Sequence, residues 1–234
     1  MATRPVFLPS ASSQPARGQN TNSAVGTVVP IEFHWHAGLA VSQKQKSIAS
    51  LHSAAREALG IDRILEISSK STEPLGVALS AFNLRLRHED RSVPVEGAFQ
   101  SSKVFANGGP YLDLLNATPR EAKTDPRIKA SGRLTGFRFQ DVAWPLEPAT
   151  SFYDWLYLRA LSESPGLAEG LADYQAFTDI EFNPDKSVNC QAHSAALYVR
   201  LLHQGRLKTA LSSRDAYLTL LKESPAEVAQ MALC

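Results

Sequence analysis

Apolar residues recur at helical spacing after Ser42: Ile48, Leu51, Ala55, Ala58 and Leu59 fall on one helix face. Ser42 with Gln45 three residues on reads as a capping box, and Gly60 suits the left-handed position that closes a helix. Shorter runs predict strands at 28–33, 63–67 and 83–87, the last with Leu84 and Leu86 on one face. The polar stretch 88–92 predicts a turn, and 95–105 a helix ended by Gly108-Gly109-Pro110. Two more helices are predicted at 152–161, rich in aromatics, and at 189–203, stopped by Gly205. Three helix starts stand out further along. Thr118-Pro119-Arg120-Glu121 combines an N-cap, a proline at the first helical position and an acid two residues later. Ser212 with Asp215 opens a helix carrying Leu218 and Leu221, and Ser224-Pro225-Ala226-Glu227 repeats the first pattern. Many helices with a few short strands predict an α+β fold, mainly α, in a single domain.

Residues 10–23 are rich in Ser, Gln, Asn and Gly and carry no apolar period, so this stretch is expected to be flexible. Arg4-Pro5-Val6-Phe7-Leu8-Pro9 before it suits an extended strand docked on the body. The expected division is a flexible N-terminal segment, 1–23, and one domain, 24–234. With 44% hydrophobic and 20% charged residues among 234, the chain is globular. Its 24 Lys and Arg against 23 Asp and Glu leave a net charge of +1. That near-balance argues against a protein that grips nucleic acid mainly by neutralising a long run of phosphates. No run is long and apolar enough for a membrane span, and the start lacks a secretory pattern. Cys190 and Cys234 are the only cysteines, too few for a disulfide framework or a cysteine-rich metal site. The expectation is a reduced, cytoplasmic, soluble protein with no metal.

Three segments carry more polar chemistry than folding requires. On the helix predicted at 95–105, Glu96, Phe99, Gln100 and Lys103 form one stripe, while Ala98, Ser102 and Phe105 face elsewhere. An acid and an amine flanking an amide and a ring suit a pocket wall, although the same spacing also fits a solvated face. Residues 68–76, with Lys70 and Ser71, form a hydroxyl-rich loop ahead of Gly76 whose amides would suit phosphate; it lacks the P-loop spacing. Residues 177–191 hold Asp179, a turn at Asn183-Pro184-Asp185, and Asn189 placed to cap a helix. Cys190 reads as a small buried residue rather than a nucleophile. His34 and His36 point the same way on a strand, with no third metal ligand recognisable nearby.

Two of these stretches resemble the N-terminal signatures of the NADAR superfamily. They are Leu75-Gly76 with Leu79-Ser80-Ala81-Phe82-Asn83, and Glu96-Gly97-Ala98-Phe99-Gln100-Ser101-Ser102-Lys103-Val104-Phe105, with Val104 one residue more than the family pattern has. Arg4-Pro5-Val6-Phe7, Ser42-Gln43-Lys44-Gln45-Lys46, Ser69-Lys70-Ser71 and the 178–191 loop further resemble the subgroup encoded beside guanine-specific DNA ADP-ribosyltransferase toxins of the DarT type. The resemblance runs from Arg4 to about Leu207. It implies an antitoxin hydrolase that cleaves ADP-ribose from the guanine base of modified DNA, with no cofactor, and with that DNA and the cognate toxin as partners. Under this resemblance Glu96 and Lys103 are the expected catalytic residues. Glu96 would activate water or stabilise an oxocarbenium-like transition state. Lys103, two turns further along the predicted helix, would protonate the departing base, hold the pyrophosphate, or trap the opened ribose as a Schiff base. Lys70, Ser71, Asn83, Phe99, Gln100, Asp179, Asn183 and Asn189 are the expected substrate contacts, Lys70 also competing for the covalent role. A related branch acting on phosphorylated riboflavin-pathway intermediates, a non-catalytic toxin-binding antitoxin and a plain helical interaction module are the alternatives.

Overall fold

A computed structural model describes residues 1–9, 21–23, 26–185 and 187–223. Strands β1 (Ala2–Leu8), β2 (Thr21–Ser23) and β3 (Gly26–Phe33) precede the long helix α1 (Val41–Leu59). Then come β4 (Ile64–Glu66), α2 (Pro74–Ala78), the hairpin β5 (Arg85–His88) and β6 (Arg91–Pro94), and α3 (Val95–Ser101). β7 (Lys103–Phe105), a 3-10 turn at Leu112–Asn116, α4 (Pro119–Thr124), α5 (Pro126–Ala130), β8 (Leu134–Phe139) and β9 (Val142–Trp144) follow. The last elements are α6 (Ser151–Ser162), α7 (Pro165–Leu171), β10 (Ala176–Thr178), α8 (Gln191–His203), α9 (Leu207–Ser212) and α10 (Arg214–Lys222). The fold is α+β and mainly α.

The main sheet runs β2-β3-β1-β10-β4; β1 is antiparallel to β3 and β10, and β10 is parallel to β4. Strand alternation divides the core into two layers. Val6, Leu8, Ile31, Phe33, Ile64 and Ala176 pack with Ile48, Leu51 and Ala55 of α1. Phe7, Leu65 and Phe177 point the other way, into the larger cluster built by α3, α6 and α8. Strand β1 is therefore an inner strand of the sheet, and β2, within the stretch that reads as flexible, pairs with β3.

Local differences from the sequence reading have physical causes. Helix α1 starts two residues early, with Ala40 at its N-cap and no side-chain cap, so the box expected at Ser42 does not form; Gly60 closes the helix at φ 64° as expected. The box at Thr118 and Glu121 forms in full. Ser213, rather than Ser212, caps α10 by accepting the Ala216 N–H at 3.1 Å. Cys190, rather than Asn189, stands at the N-cap of α8. The helix start at Ser224 lies outside the described residues. The polar stretch 88–92 turns only at Glu89 and Asp90, and its flanks pair as β5 and β6.

The largest departure is α3, which ends at Ser101 instead of continuing to 105. Ser101 and Ser102 both turn their hydroxyls back onto the Ala98 carbonyl, at 3.0 and 2.6 Å. Such local bonds compete with helix propagation. The Ser101 carbonyl accepts Tyr111 N–H, and the Ser102 carbonyl accepts Arg138 N–H at 2.8 Å. The chain thus leaves the helix directly into β7, where Lys103 pairs with Phe137.

Gly76 is the tightest backbone approach near this region. A Cβ there would lie 2.0 Å from the Glu66 carbonyl oxygen and 2.5 Å from Ser71 Oγ. Backbone on one side and a buried hydroxyl on the other leave nowhere to yield. Gly76→Ala is expected to destabilise the fold by about 3 kcal/mol or more, and urea unfolding measures it; a midpoint equal to wild type would refute the close packing.

Candidate functional site

A cavity of about 570 Å³ opens where α3, β7, β8, the start of α6 and the 179–191 loop meet. Its size is that of a small-molecule site. Glu96, Phe99, Gln100, Lys103, Asp179 and Asn189 line it. Lys70, Ser71, Asn83 and Asn183 do not, and each is engaged elsewhere. Lys70 Nζ donates to Ser69 Oγ at 2.9 Å, and Ser71 Oγ accepts the Glu73 N–H at 3.2 Å. Asn83 Nδ2 donates to the Val77 carbonyl at 2.8 Å. Asn183 Oδ1 accepts the Asp185 N–H at 3.1 Å, closing the expected turn on itself. The hydroxyl-rich loop of 68–76 is therefore consumed in its own connections.

Glu96 stands in the first turn of α3 and is buried. Its Oε1 accepts from Gln100 Nε2 at 2.9 Å, one helical turn on, and lies 3.9 Å from Lys123 Nζ of α4. The other Gln100 atom, Oε1, is buried without a partner among the described residues. Lys103 reaches the same cavity from β7, its Nζ 4.8 Å from the centre of the Phe99 ring. Burial pushes its pKa down, Glu96 opposes that shift, and Lys123 adds to it. The end of α3 at Ser101 is what places the amine here: on a continuing helix it would lie two turns from Glu96, roughly 10 Å along the axis. Phe99 in turn sits 5.4 Å from the Phe137 ring and edge-on to Tyr153 at 5.2 Å, so the aromatic wall is rigid.

Asp179 follows β10 and is buried. Its Oδ1 accepts the N–H groups of Glu181 and Phe182 at 3.0 and 3.2 Å. Gln191 donates to the same carboxyl, and holds its own Oε1 against the Ala81 N–H at 2.7 Å. On the opposite face of the sheet, Glu66 accepts the Ile180 N–H at 2.8 Å and the Thr178 hydroxyl at 2.7 Å. The same Thr178 hydroxyl lies 2.9 Å from His52 Nε2 and links the imidazole to Glu66. Burial and the neighbouring Arg56 lower the His52 pKa to about 4, so this ring is neutral. Burial first, and then the nearby Glu66, push Asp179 up to about 8. Burial raises the Glu66 carboxyl as well, so the two acids titrate as a pair that holds a proton near neutral pH.

The sign of the resulting pH dependence follows from this shift. The folded chain holds the Asp179 proton more tightly than the unfolded chain, whose value is near 3.8. Stability contributed by this group is present below that value and is lost as pH climbs towards about 8. Asp179→Asn removes the penalty. Its stability advantage over wild type is expected to widen by on the order of 2 kcal/mol between mildly acidic and mildly alkaline buffer. Urea unfolding at both ends measures it, and parallel pH profiles would remove the buried proton from the account.

Lys123, Ser151, Tyr153 and Gln191 also line the cavity, and the sequence singled out none of them as a site residue. Gln191 carried a signal as the end of the polar 177–191 loop, and Tyr153 as one of the aromatics of 152–157, a run in which one ring suits stacking on a base or sugar. The aromatics of 152–157 and Trp144 serve mainly the core, with Phe152 stacked on Phe137 at 4.7 Å and Trp144 against Trp155 at 5.0 Å. Cys190 is buried and reduced. His34 and His36 pack edge to face at 4.6 Å, and among the described residues no group of three or more metal-ligating side chains converges.

Two carboxyl groups, Glu96 and Asp179, and the partly desolvated Lys103 amine line one aromatic-walled cavity in a mainly helical α+β domain, an arrangement suited to a small polar ligand. The chain matches the family described as DarT1-associated NADAR antitoxin over residues 2–231, and it belongs to that family. The match continues well beyond Leu207, where recognisable motifs in the sequence end. A DarT toxin is accordingly its cognate partner. No curated protein matches the chain. Among the described residues, no helix is long and apolar enough to cross a membrane.

Proposed function

We propose that this antitoxin is a glycosidase that removes ADP-ribose from the guanine base of ADP-ribosylated DNA. The observation that carries the reading is the convergence of Glu96 and Lys103 on one cavity, although they come from different elements. The bond to be cut joins the ribose C1 to a guanine nitrogen. As it breaks, its electron pair goes to the nitrogen, which takes a proton, and positive charge develops at C1. The Glu96 carboxylate stabilises that charge and takes a proton from the incoming water. Lys103, its proton loosened by burial, bonds C1 as the base leaves; a proton of that amine passes to the ring oxygen as the C1–O4 bond opens to an iminium, and the water activated by Glu96 then adds to C1, breaks the C1–lysine bond, releases ADP-ribose and frees the lysine. Asp179, protonated near neutral pH, is a proton source for the departing base. The cavity holds one nucleotide-sized group rather than a strand, so the modified base must be presented outside a duplex stack.

The test is release of ADP-ribose from a single-stranded oligonucleotide modified at guanine, with a thymidine-linked substrate as control. Guanine-specific release is the expected result. A folded protein that releases nothing would overturn the proposal; protection of cells by that same protein would then indicate toxin binding, and turnover of phosphorylated riboflavin-pathway intermediates a different substrate.

A further inference from the structure

Helix α6 runs for twelve residues, and its N-terminus opens on the cavity: Ala149, Thr150, Ser151, Phe152 and Tyr153 all line it. A helix start exposes amides that have no acceptor within the helix, together with the positive end of the macrodipole. Side chains usually satisfy them, but here they do not. Thr150, at the N-cap, sends its hydroxyl to Asp154 Oδ2 at 2.6 Å and makes no cap bond. The Ser151 N–H donates to the Pro148 carbonyl and the Asp154 N–H to the Thr150 carbonyl; the Phe152 and Tyr153 amides have no acceptor among the described residues.

The second observation is Ser151 itself. It is 1% exposed, lines the cavity, and its hydroxyl has no hydrogen-bond partner among the described residues. A buried hydroxyl without a partner is costly unless a ligand completes it. Two carboxylates near the helix start are already occupied. Glu147 Oε2 accepts the Ala149 N–H at 3.0 Å. Asp154 Oδ1 accepts from Ser194 at 2.5 Å and lies 3.1 Å from His193 Nδ1. Lys103 and Lys123 add positive charge to the same cavity, beside the carboxyl groups of Glu96, Glu147, Asp179 and Glu181.

We infer that the N-terminus of α6 is an oxyanion subsite that takes the diphosphate of a nucleoside diphosphate sugar, with the Ser151 hydroxyl and the Phe152 and Tyr153 amides as donors. A diphosphate seated there leaves the sugar to be reached by Glu96 and Lys103 across the cavity. The inference rests on the proposed function for the nature of the sugar nucleotide; the oxyanion site stands without it.

The experiment is calorimetric titration of the full chain with inorganic pyrophosphate, ADP-ribose, ribose 5-phosphate and an unmodified oligonucleotide, for wild type and Ser151→Ala, with melting temperature as the check on folding. Pyrophosphate and ADP-ribose are expected to compete for one site, and Ser151→Ala to weaken both about tenfold, the worth of one hydrogen bond to a charged acceptor. Pyrophosphate binding that drops in the variant supports the subsite even if ADP-ribose fails to bind, in which case only the proposed substrate falls. ADP-ribose bound equally by both proteins, with the variant folded, overturns the subsite and leaves the proposed function intact. Binding of ribose 5-phosphate or the oligonucleotide without pyrophosphate also overturns it, since a monoester or a backbone phosphodiester would then be the ligand.

Discussion

Glu96→Gln is expected to lower the rate of ADP-ribose release from guanine-modified oligonucleotide by about a thousandfold, within the range for losing a general base, while the protein stays folded. The amide keeps the size of the side chain and a partner for Gln100, which now donates to Glu96 Oε1 at 2.9 Å. It removes the negative charge that faces Lys123 at 3.9 Å, a long contact with a largely exposed lysine, so little stability is at stake. The binding of free ADP-ribose is expected to survive within a few-fold. Single-turnover release and calorimetry on the same preparation separate the two. A variant that still releases ADP-ribose at the wild-type rate would move the chemistry to another carboxyl of the cavity lining, Glu147, Asp179 or Glu181.

Lys103 carries the second large expectation. Its amine is packed over Phe99 and its pKa is lowered by burial. If the amine bonds to the sugar, it must shed its proton, and a guanidinium does not do so near neutral pH. Lys103→Met and Lys103→Arg are therefore both expected to lower kcat by about a hundredfold or more. Borohydride should trap an adduct on wild type alone. The wild-type rate should rise with pH as the lysine deprotonates, because the group is active in its neutral form, and fall again as Asp179, raised to about 8, loses the proton it gives the base. Recovery of activity in Lys103→Arg, with no trapped adduct, would show instead that only the positive charge matters.

Much of the local structure was legible because it depends on neighbours in the chain. The α1 face of Ile48, Leu51 and Ala55, the Gly60 stop, and the Thr118 box with Glu121 are set by residues within one or two turns and appear as read, whereas Ala58 at the end of that face is exposed. The same local logic places Leu84 and Leu86 in the core. It is weaker at boundaries, where Ser42 against Ala40, or Ser212 against Ser213, differ by little in free energy and tertiary packing chooses between them.

The composition of the site was partly legible, and its geometry was not. Family resemblance pointed to Glu96, Lys103 and the 178–191 loop, and the cavity gathers Glu96, Lys103, Phe99, Gln100, Asp179 and Asn189. Resemblance carries no distances. It left Lys70, Ser71, Asn83 and Asn183 in the same set, although none of the four lines the cavity.

By itself, the sequence determined the class of fold, the longer helices, the strands β1, β3, β4 and β5, and the residue types available for chemistry, because these rest on periodicity and on contacts close in the chain. Only the tertiary structure decided where α3 stops, since the carbonyls of Ser101 and Ser102 are taken by Tyr111 and Arg138 from distant elements. It alone brought Lys123 to Glu96, buried Asp179 across the sheet from Glu66, and turned the uncapped start of α6 towards the cavity. Each of these depends on desolvation and on partners far apart in sequence, quantities that exist only once the chain has closed on itself.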